Sequence, residues 1–60
     1  MAEELKSFLR REIERLEKLI RDAEEAIKIA EKMGINVEMQ KAELERRKRQ
    51  LAEWKEVISK

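Results

Sequence analysis

The chain has 60 residues, with 15 Lys and Arg, 14 Asp and Glu, a formal net charge of +1, one Gly, and no His, Cys or Pro. Without imidazole or thiol groups it has no histidine acid or base, no thiolate nucleophile, no disulfide and no zinc site of the usual kind. The balanced, interspersed charges create no overall field that would attract nucleic acid or an anionic membrane.

Five residue types that favour helices dominate the composition. Ala, Glu, Lys, Leu and Arg make up 40 of the 60 residues, which is typical of coiled coils and long helices. We therefore predict an all-α fold with a single domain over residues 1–60. No long apolar run or basic leader is present, so we expect a soluble chain without a membrane segment or address signal, cytoplasmic if expressed in cells.

The first predicted helix covers residues 3–33, because neither Gly nor Pro interrupts this stretch. The predicted turn follows at once: Gly34 can adopt the left-handed conformation that ends a helix, Ile35 can make the accompanying apolar contact, and Asn36 can cap the next helix. A second helix is predicted over residues 37–59. So short a loop makes the two helices an antiparallel hairpin.

Two other arrangements are open from the sequence alone. Apolar residues recur every seven positions across Gly34 without a break, as in one continuous coiled-coil helix; they are Ala2, Leu9, Leu16, Ala23, Ala30, Val37, Leu44, Leu51 and Ile58. Alternatively, the segment from Asp22 to Glu25 fits a capping box, which would divide the first helix in two. The hairpin is preferred because Gly, Asn and two β-branched residues within four positions are costly inside a helix.

The two predicted helices have apolar faces of different width. The first has a wide face, whereas the second has a narrow stripe with polar residues at neighbouring positions. With the turn near residue 35, antiparallel partners have numbers that add up to about 70, so residues before about 10 lack a partner. The residues predicted to form the core and the interface are Leu5, Phe8, Leu9, Ile13, Leu16, Leu19, Ile20, Ile27, Leu44, Leu51, Trp54 and Ile58.

A single hairpin is only one layer thick and buries too little apolar surface to be stable alone. We therefore expect two hairpins to form a homodimeric four-helix bundle. Glu residues four positions before a basic residue are expected to pair with it inside each helix. These pairs are Glu14 with Lys18, Glu17 with Arg21, Glu24 with Lys28, Glu43 with Arg47, Glu45 with Arg49, and Glu56 with Lys60.

Few residues suggest a chemical site. The basic run Arg46, Arg47, Lys48 and Arg49 is the one candidate phosphate-binding patch, but nearby glutamates favour a solvated surface, so nucleic acid is not an expected partner. Glu12 lies in a core-type position and is interpreted as a boundary residue that reaches water or Lys55. No cofactor and no metal site is predicted, because a di-metal bundle needs histidine and a calcium loop needs several Asp or Asn.

The regular composition and single short loop resemble those of de novo designed helical bundles over the whole chain. The architecture also resembles that of the Rop family, small hairpins that dimerise into RNA-binding bundles, although no residue motif matches. The segment from Leu9 to Leu16 is similar to the first helix of helical chorismate mutases, but the similarity ends near Ile20 and 60 residues are too few for that fold. No catalytic residue is carried over.

The sequence therefore predicts a structural, self-assembling helical bundle without catalytic activity. Its resemblance to de novo designed bundles implies that it is a designed protein. The alternative is a hairpin module that binds another protein or RNA with an exposed helix face.

Overall fold

The computed structural model describes residues 3–59. Helix α1 spans Glu3–Lys32 and helix α2 spans Glu38–Ser59, and the two helices pack against each other. The predicted all-α hairpin is confirmed, and neither a continuous helix nor a break at Asp22 is found. Two residues used in the sequence patterns, Ala2 and Lys60, lie outside the described part of the chain.

Hydrogen bonds around Gly34 end α1. Gly34 has a φ of 78°, its N–H donates to the carbonyl of Glu31 at 3.0 Å, and the N–H of Ile35 donates to the carbonyl of Ala30 at 3.0 Å. This pair of bonds is the Schellman arrangement, which satisfies carbonyls that the helix end would leave without a partner. The side chain of Ile35 is 51% exposed.

The start of α2 is capped by Asn36. Its side-chain Oδ1 accepts a hydrogen bond from the N–H of Glu38 at 3.0 Å, and the carbonyl of Val37 already accepts one from the N–H of Lys41 at 2.9 Å. Each helix differs by one residue from its predicted bounds, since Met33 and Val37 are flanking residues that share in the terminal hydrogen bonds.

Replacing Gly34 by Ala should destabilise the hairpin by about 1 kcal/mol, because a side chain makes a positive φ unfavourable. No atom lies within 4 Å of the position that a new Cβ would occupy, so the cost is purely conformational. Gly34→Asn should cost less, since Asn tolerates this region. Urea denaturation compares the three proteins, and equal losses for Ala and Asn would contradict this account.

The core lies between the helices along the half of the hairpin nearest the turn. Its buried residues are Leu16, Ile20, Ile27, Val37 and Leu44, with Ala23, Ala30 and Leu51 packed against them. Leu16 is the most buried, at 4% exposure. Apolar residues spaced by three and four positions on α1 therefore form a continuous face against α2.

The hairpin has more surface than a chain of its mass usually has. Its principal extents are 48 × 15 × 12 Å with a radius of gyration of 14.4 Å, against about 10 Å for a typical domain of this length. The accessible surface is 5199 Å², whereas a compact 7.2 kDa protein exposes about 4,100 Å². The excess of about 1,100 Å² exceeds the roughly 800 Å² that each partner buries in a standard interface.

Candidate functional site

One side of the hairpin carries three ion pairs between the helices, which we call the ion-pair side. All three acidic residues come from α1 and all three basic residues from α2, and each set is spaced by seven residues. The pairs are Glu17 with Lys55 at 2.9 Å, Glu24 with Lys48 at 3.1 Å, and Glu31 with Lys41 at 2.7 Å.

These ion pairs give the register of the hairpin. In each pair the residue numbers add up to 72, two more than the approximate value from the position of the turn. Ser59 is therefore level with Ile13, and the first ten residues of α1, from residue 3 to residue 12, extend beyond α2. The predicted overhang is thus present.

The expected pairing within each helix is largely replaced by pairing across the hairpin. Among residues 3–59, Glu43 with Arg47 is the one expected pair that forms, at 3.1 Å. Glu17 and Glu24 bind lysines of α2 instead of Arg21 and Lys28. The cross-helix contact prevails because the seven-residue spacing places both acidic residues beside α2.

Reversing the central pair tests the register directly. Glu24→Lys and Lys48→Glu should each destabilise the hairpin, and the double variant should recover most of the loss, because opposite charges again face each other. The side chains are 41% and 42% exposed, so we expect a coupling energy of about 0.5 kcal/mol at low salt that fades in 1 M NaCl. A double-mutant cycle by urea denaturation measures it. Zero coupling at low salt would mean that the pair does not form.

The opposite side of the hairpin, which we call the apolar side, exposes large apolar residues. On α1, Leu19 lies three residues after Leu16 of the core, whereas Glu17 lies one residue after it, so helix geometry turns them to opposite sides. Leu19 is 62% exposed. The other exposed apolar residues of this side are Leu5 and Phe8 on α1, Met33 directly after α1, and Trp54 and Val57 on α2.

A central groove of about 340 Å³ runs between the helices on the apolar side. Leu19 and Ala23 line it from α1, while Gln40 and Arg47 line it from α2. The groove exists because small or polar residues occupy positions where a buried helix pair would carry large apolar ones. Arg47 and Ala23 both line this groove, whereas Lys48 reaches Glu24 on the ion-pair side.

A second groove, of about 360 Å³, lies at the open end of the hairpin. Phe8 and Leu9 of the overhang line it together with Trp54 and Val57 of α2. Glu12 is half-buried at its edge and contacts Arg15 at 3.5 Å. Of the two partners considered for Glu12, Lys55 is not the one found, because it pairs with Glu17; the Glu12 side chain is 34% exposed.

The structure divides the predicted core and interface residues into three groups. Ile13, Leu16, Ile20, Ile27 and Leu44 are buried inside one hairpin. Leu9, Leu51 and Ile58 are half-buried. The residues that remain exposed are Leu5, Phe8, Leu19 and Trp54. Sequence reasoning omitted Val37, which is 7% exposed and belongs to the core; its place in the seven-residue row was the signal for it.

The basic run of α2 is largely engaged by glutamates. Arg46 and Arg47 both bind Glu43, and Lys48 binds Glu24 and approaches Glu45. The hydrogen bond and positive charge of Arg46, followed by those of Arg47, hold the pKa of the Glu43 carboxyl below its ordinary value. This arrangement is the solvated, salt-bridged surface that the neighbouring glutamates indicated.

Neither a metal cluster nor a spanning helix is found in the described part of the chain. Among residues 3–59 no three acidic side chains converge as a metal site would require. No helix there combines the length and apolar character needed to cross a bilayer.

Comparison with known proteins finds no match to a family model, to a curated protein or to a solved structure. The functional interpretation therefore depends on the geometry of the hairpin alone.

Proposed function

We propose that the hairpin is a structural self-association module, and that a second copy covers its apolar side to make a homodimeric four-helix bundle. The observation that carries the proposal is the line of exposed large apolar side chains on one side of the hairpin. Soluble monomers rarely expose large contiguous apolar patches. The other side carries the three ion pairs between α1 and α2, so only the apolar side offers a surface that another apolar helix can cover.

The amount of surface supports the same conclusion. The excess area of about 1,100 Å² per chain is of the size that a stable dimer buries on each partner. The surface of both grooves is mainly apolar. Leu19 lines the central groove, and Phe8 and Trp54 line the groove at the open end. A helix of a second copy can fill such grooves, as helices do in bundle cores.

The proposed role is structural rather than catalytic. The regular spacing of the cross-helix ion pairs agrees with the resemblance to designed bundles, in which local and tertiary features point to one fold. A binding module for a different protein or for RNA is the alternative. Three of the four residues of the basic run, Arg46, Arg47 and Lys48, are engaged by Glu43 and Glu24.

Sedimentation equilibrium tests the proposal. At micromolar concentration we expect twice the 7.2 kDa mass of one chain, together with a thermal midpoint that rises with protein concentration. The emission of Trp54, the one tryptophan, should shift to shorter wavelength as the chain associates, since its ring becomes more buried. A folded 7.2 kDa species with a midpoint independent of concentration would overturn the proposal and favour the binding module.

A further inference from the structure

From the pattern of exposed residues on α1 we infer that the two hairpins associate with their α1 helices antiparallel, on a twofold axis that passes beside Leu19. This inference deepens the self-association proposed above and rests on it. The partner that covers the apolar side is a second copy of this chain. The supporting observation is the arrangement of apolar and charged side chains along one row of α1 and on the flank of that row.

The row consists of five residues spaced by seven, namely Leu5, Glu12, Leu19 and Ala26 of α1 and Met33 directly after it. Glu12 is half-buried and the other four are exposed. Leu5, Leu19 and Met33 are 47%, 62% and 70% exposed. The row is arranged evenly about Leu19, so an antiparallel copy brings together residues whose numbers add up to 38. Leu5 then meets Met33 of the second copy, and Leu19 meets Leu19.

The two remaining members of the row, Glu12 and Ala26, distinguish an antiparallel from a parallel arrangement of the two α1 helices. In the antiparallel dimer Glu12 faces Ala26 of the second copy, and the small alanine leaves room for the glutamate to reach water. In a parallel dimer Glu12 would face Glu12 at the seam, where two like charges would be partly desolvated. The row is therefore compatible with the antiparallel orientation only.

Charged residues beside the row favour the same orientation. Arg15 comes beside Asp22 of the second copy, and its twofold mate repeats the contact. Further out, among residues whose numbers add up to 36, Arg11 meets Glu25 and Glu4 meets Lys32 with opposite charges, while the exposed Lys18 meets its own copy. In a parallel dimer opposite flanks of the two rows face each other, so these residues, which share one flank of α1, would not meet.

These charges are available for contact with a second copy. Asp22, Arg11 and Glu25 are exposed and have no ion pair with any other residue between 3 and 59, and Arg15 makes only the 3.5 Å contact with Glu12. By contrast, the charges of the ion-pair side are already paired between α1 and α2. The unpaired charges of α1 thus flank the same row that exposes its apolar side chains.

Cysteine cross-linking tests the orientation without interference, because the chain has no cysteine. Under mild oxidation, Glu12→Cys alone and Ala26→Cys alone should give no disulfide dimer, whereas an equal mixture of the two should give one. Same-residue cysteines would be about 21 Å apart along the axis in the antiparallel dimer, beyond disulfide reach. Leu19→Cys should form a disulfide with Leu19→Cys of the second copy, because the two residues meet at the twofold axis.

A charge reversal provides a second measurement. Arg15→Asp and Asp22→Arg should each weaken dimerisation about tenfold, because each makes two repulsive contacts across the axis. The double variant should return to within about threefold of the unaltered protein, since all these contacts become attractive again. Sedimentation equilibrium gives the dissociation constants.

The outcomes separate this inference from the proposed function. A dimer in which Glu12→Cys or Ala26→Cys cross-links to itself would overturn the antiparallel orientation and leave self-association intact. A dimer in which Leu19→Cys fails to cross-link and the charge reversals have no effect would place the interface elsewhere, which also overturns the inference. A folded monomer would overturn both.

Discussion

Leu16→Asp is expected to abolish the helical fold, with the far-ultraviolet circular dichroism of an unfolded chain at 25 °C. Leu16 is the most buried side chain, at 4% exposure, and truncating a buried Leu costs about 3 to 5 kcal/mol even without a new charge. The unpaired carboxylate adds a desolvation cost. A domain of this length has a total stability of roughly 3 to 9 kcal/mol, so most or all of it is lost.

Leu16→Met is the matched control for that variant. It keeps the volume and apolar character of the side chain, and swaps of this kind usually cost less than about 1.5 kcal/mol. We therefore expect Leu16→Met to retain the helical spectrum and to unfold at slightly lower urea concentration. A Leu16→Asp chain that kept its helicity and mass would refute the core described between α1 and α2.

Leu19→Glu is expected to abolish self-association through a different mechanism. Leu19 is 62% exposed in one hairpin, so the substitution removes little packing within the chain. At the proposed twofold axis, however, it places two carboxylates against each other in an apolar contact. We expect the dissociation constant to rise by at least about a hundredfold, equivalent to roughly 3 kcal/mol, as measured by sedimentation equilibrium.

Ser7→Glu controls for the added negative charge. Ser7 is exposed on α1, away from the row that contains Leu19, and the substitution changes the net charge by the same amount. Its dissociation constant should stay within about threefold of the unaltered protein. If Leu19→Glu also dimerised normally, the apolar side could not be the interface that we propose.

The helices and the turn could be predicted from the sequence because their causes are local. Apolar residues at spacings of three and four produce the face of α1, and the only glycine supplies the φ of 78° that ends it. Asn36 caps α2 through a hydrogen bond two residues along the chain. Features of this kind depend on a few neighbouring residues and therefore appear in the sequence itself.

The cross-helix ion pairs were not predicted, because their cause is not local. Glu17 and Glu24 each have a basic residue four positions later, and short-range spacing alone cannot decide between that residue and a lysine of α2. The decision depends on the register, which a turn position estimates only to within two residues. Three glutamates and three lysines, each spaced by seven and mirrored about Asn36, were the available signal.

The partition of apolar residues between core and exposed side also needed the structure. Leu19 and Leu16 have the same character and lie in the same turn of α1, yet one is 62% and the other 4% exposed. Because α2 carries Gln40 and Arg47 where a wider stripe would have apolar residues, it covers only part of the face of α1. The sequence predicts the narrow apolar stripe of α2, but not which residues of the wider face of α1 that stripe covers.

The single turn also places both ends of the described chain at the same end of the hairpin. Because the chain reverses once, residues 3 and 59 leave from the same end of a body 48 Å long, offset by the overhang of about 15 Å. In the antiparallel dimer, the ends of one copy would leave opposite to those of the other. Protein domains fused to the ends of two such chains would therefore lie at opposite ends of the helical bundle. A domain inserted at Ile35 would instead disrupt the hydrogen bonds that end α1.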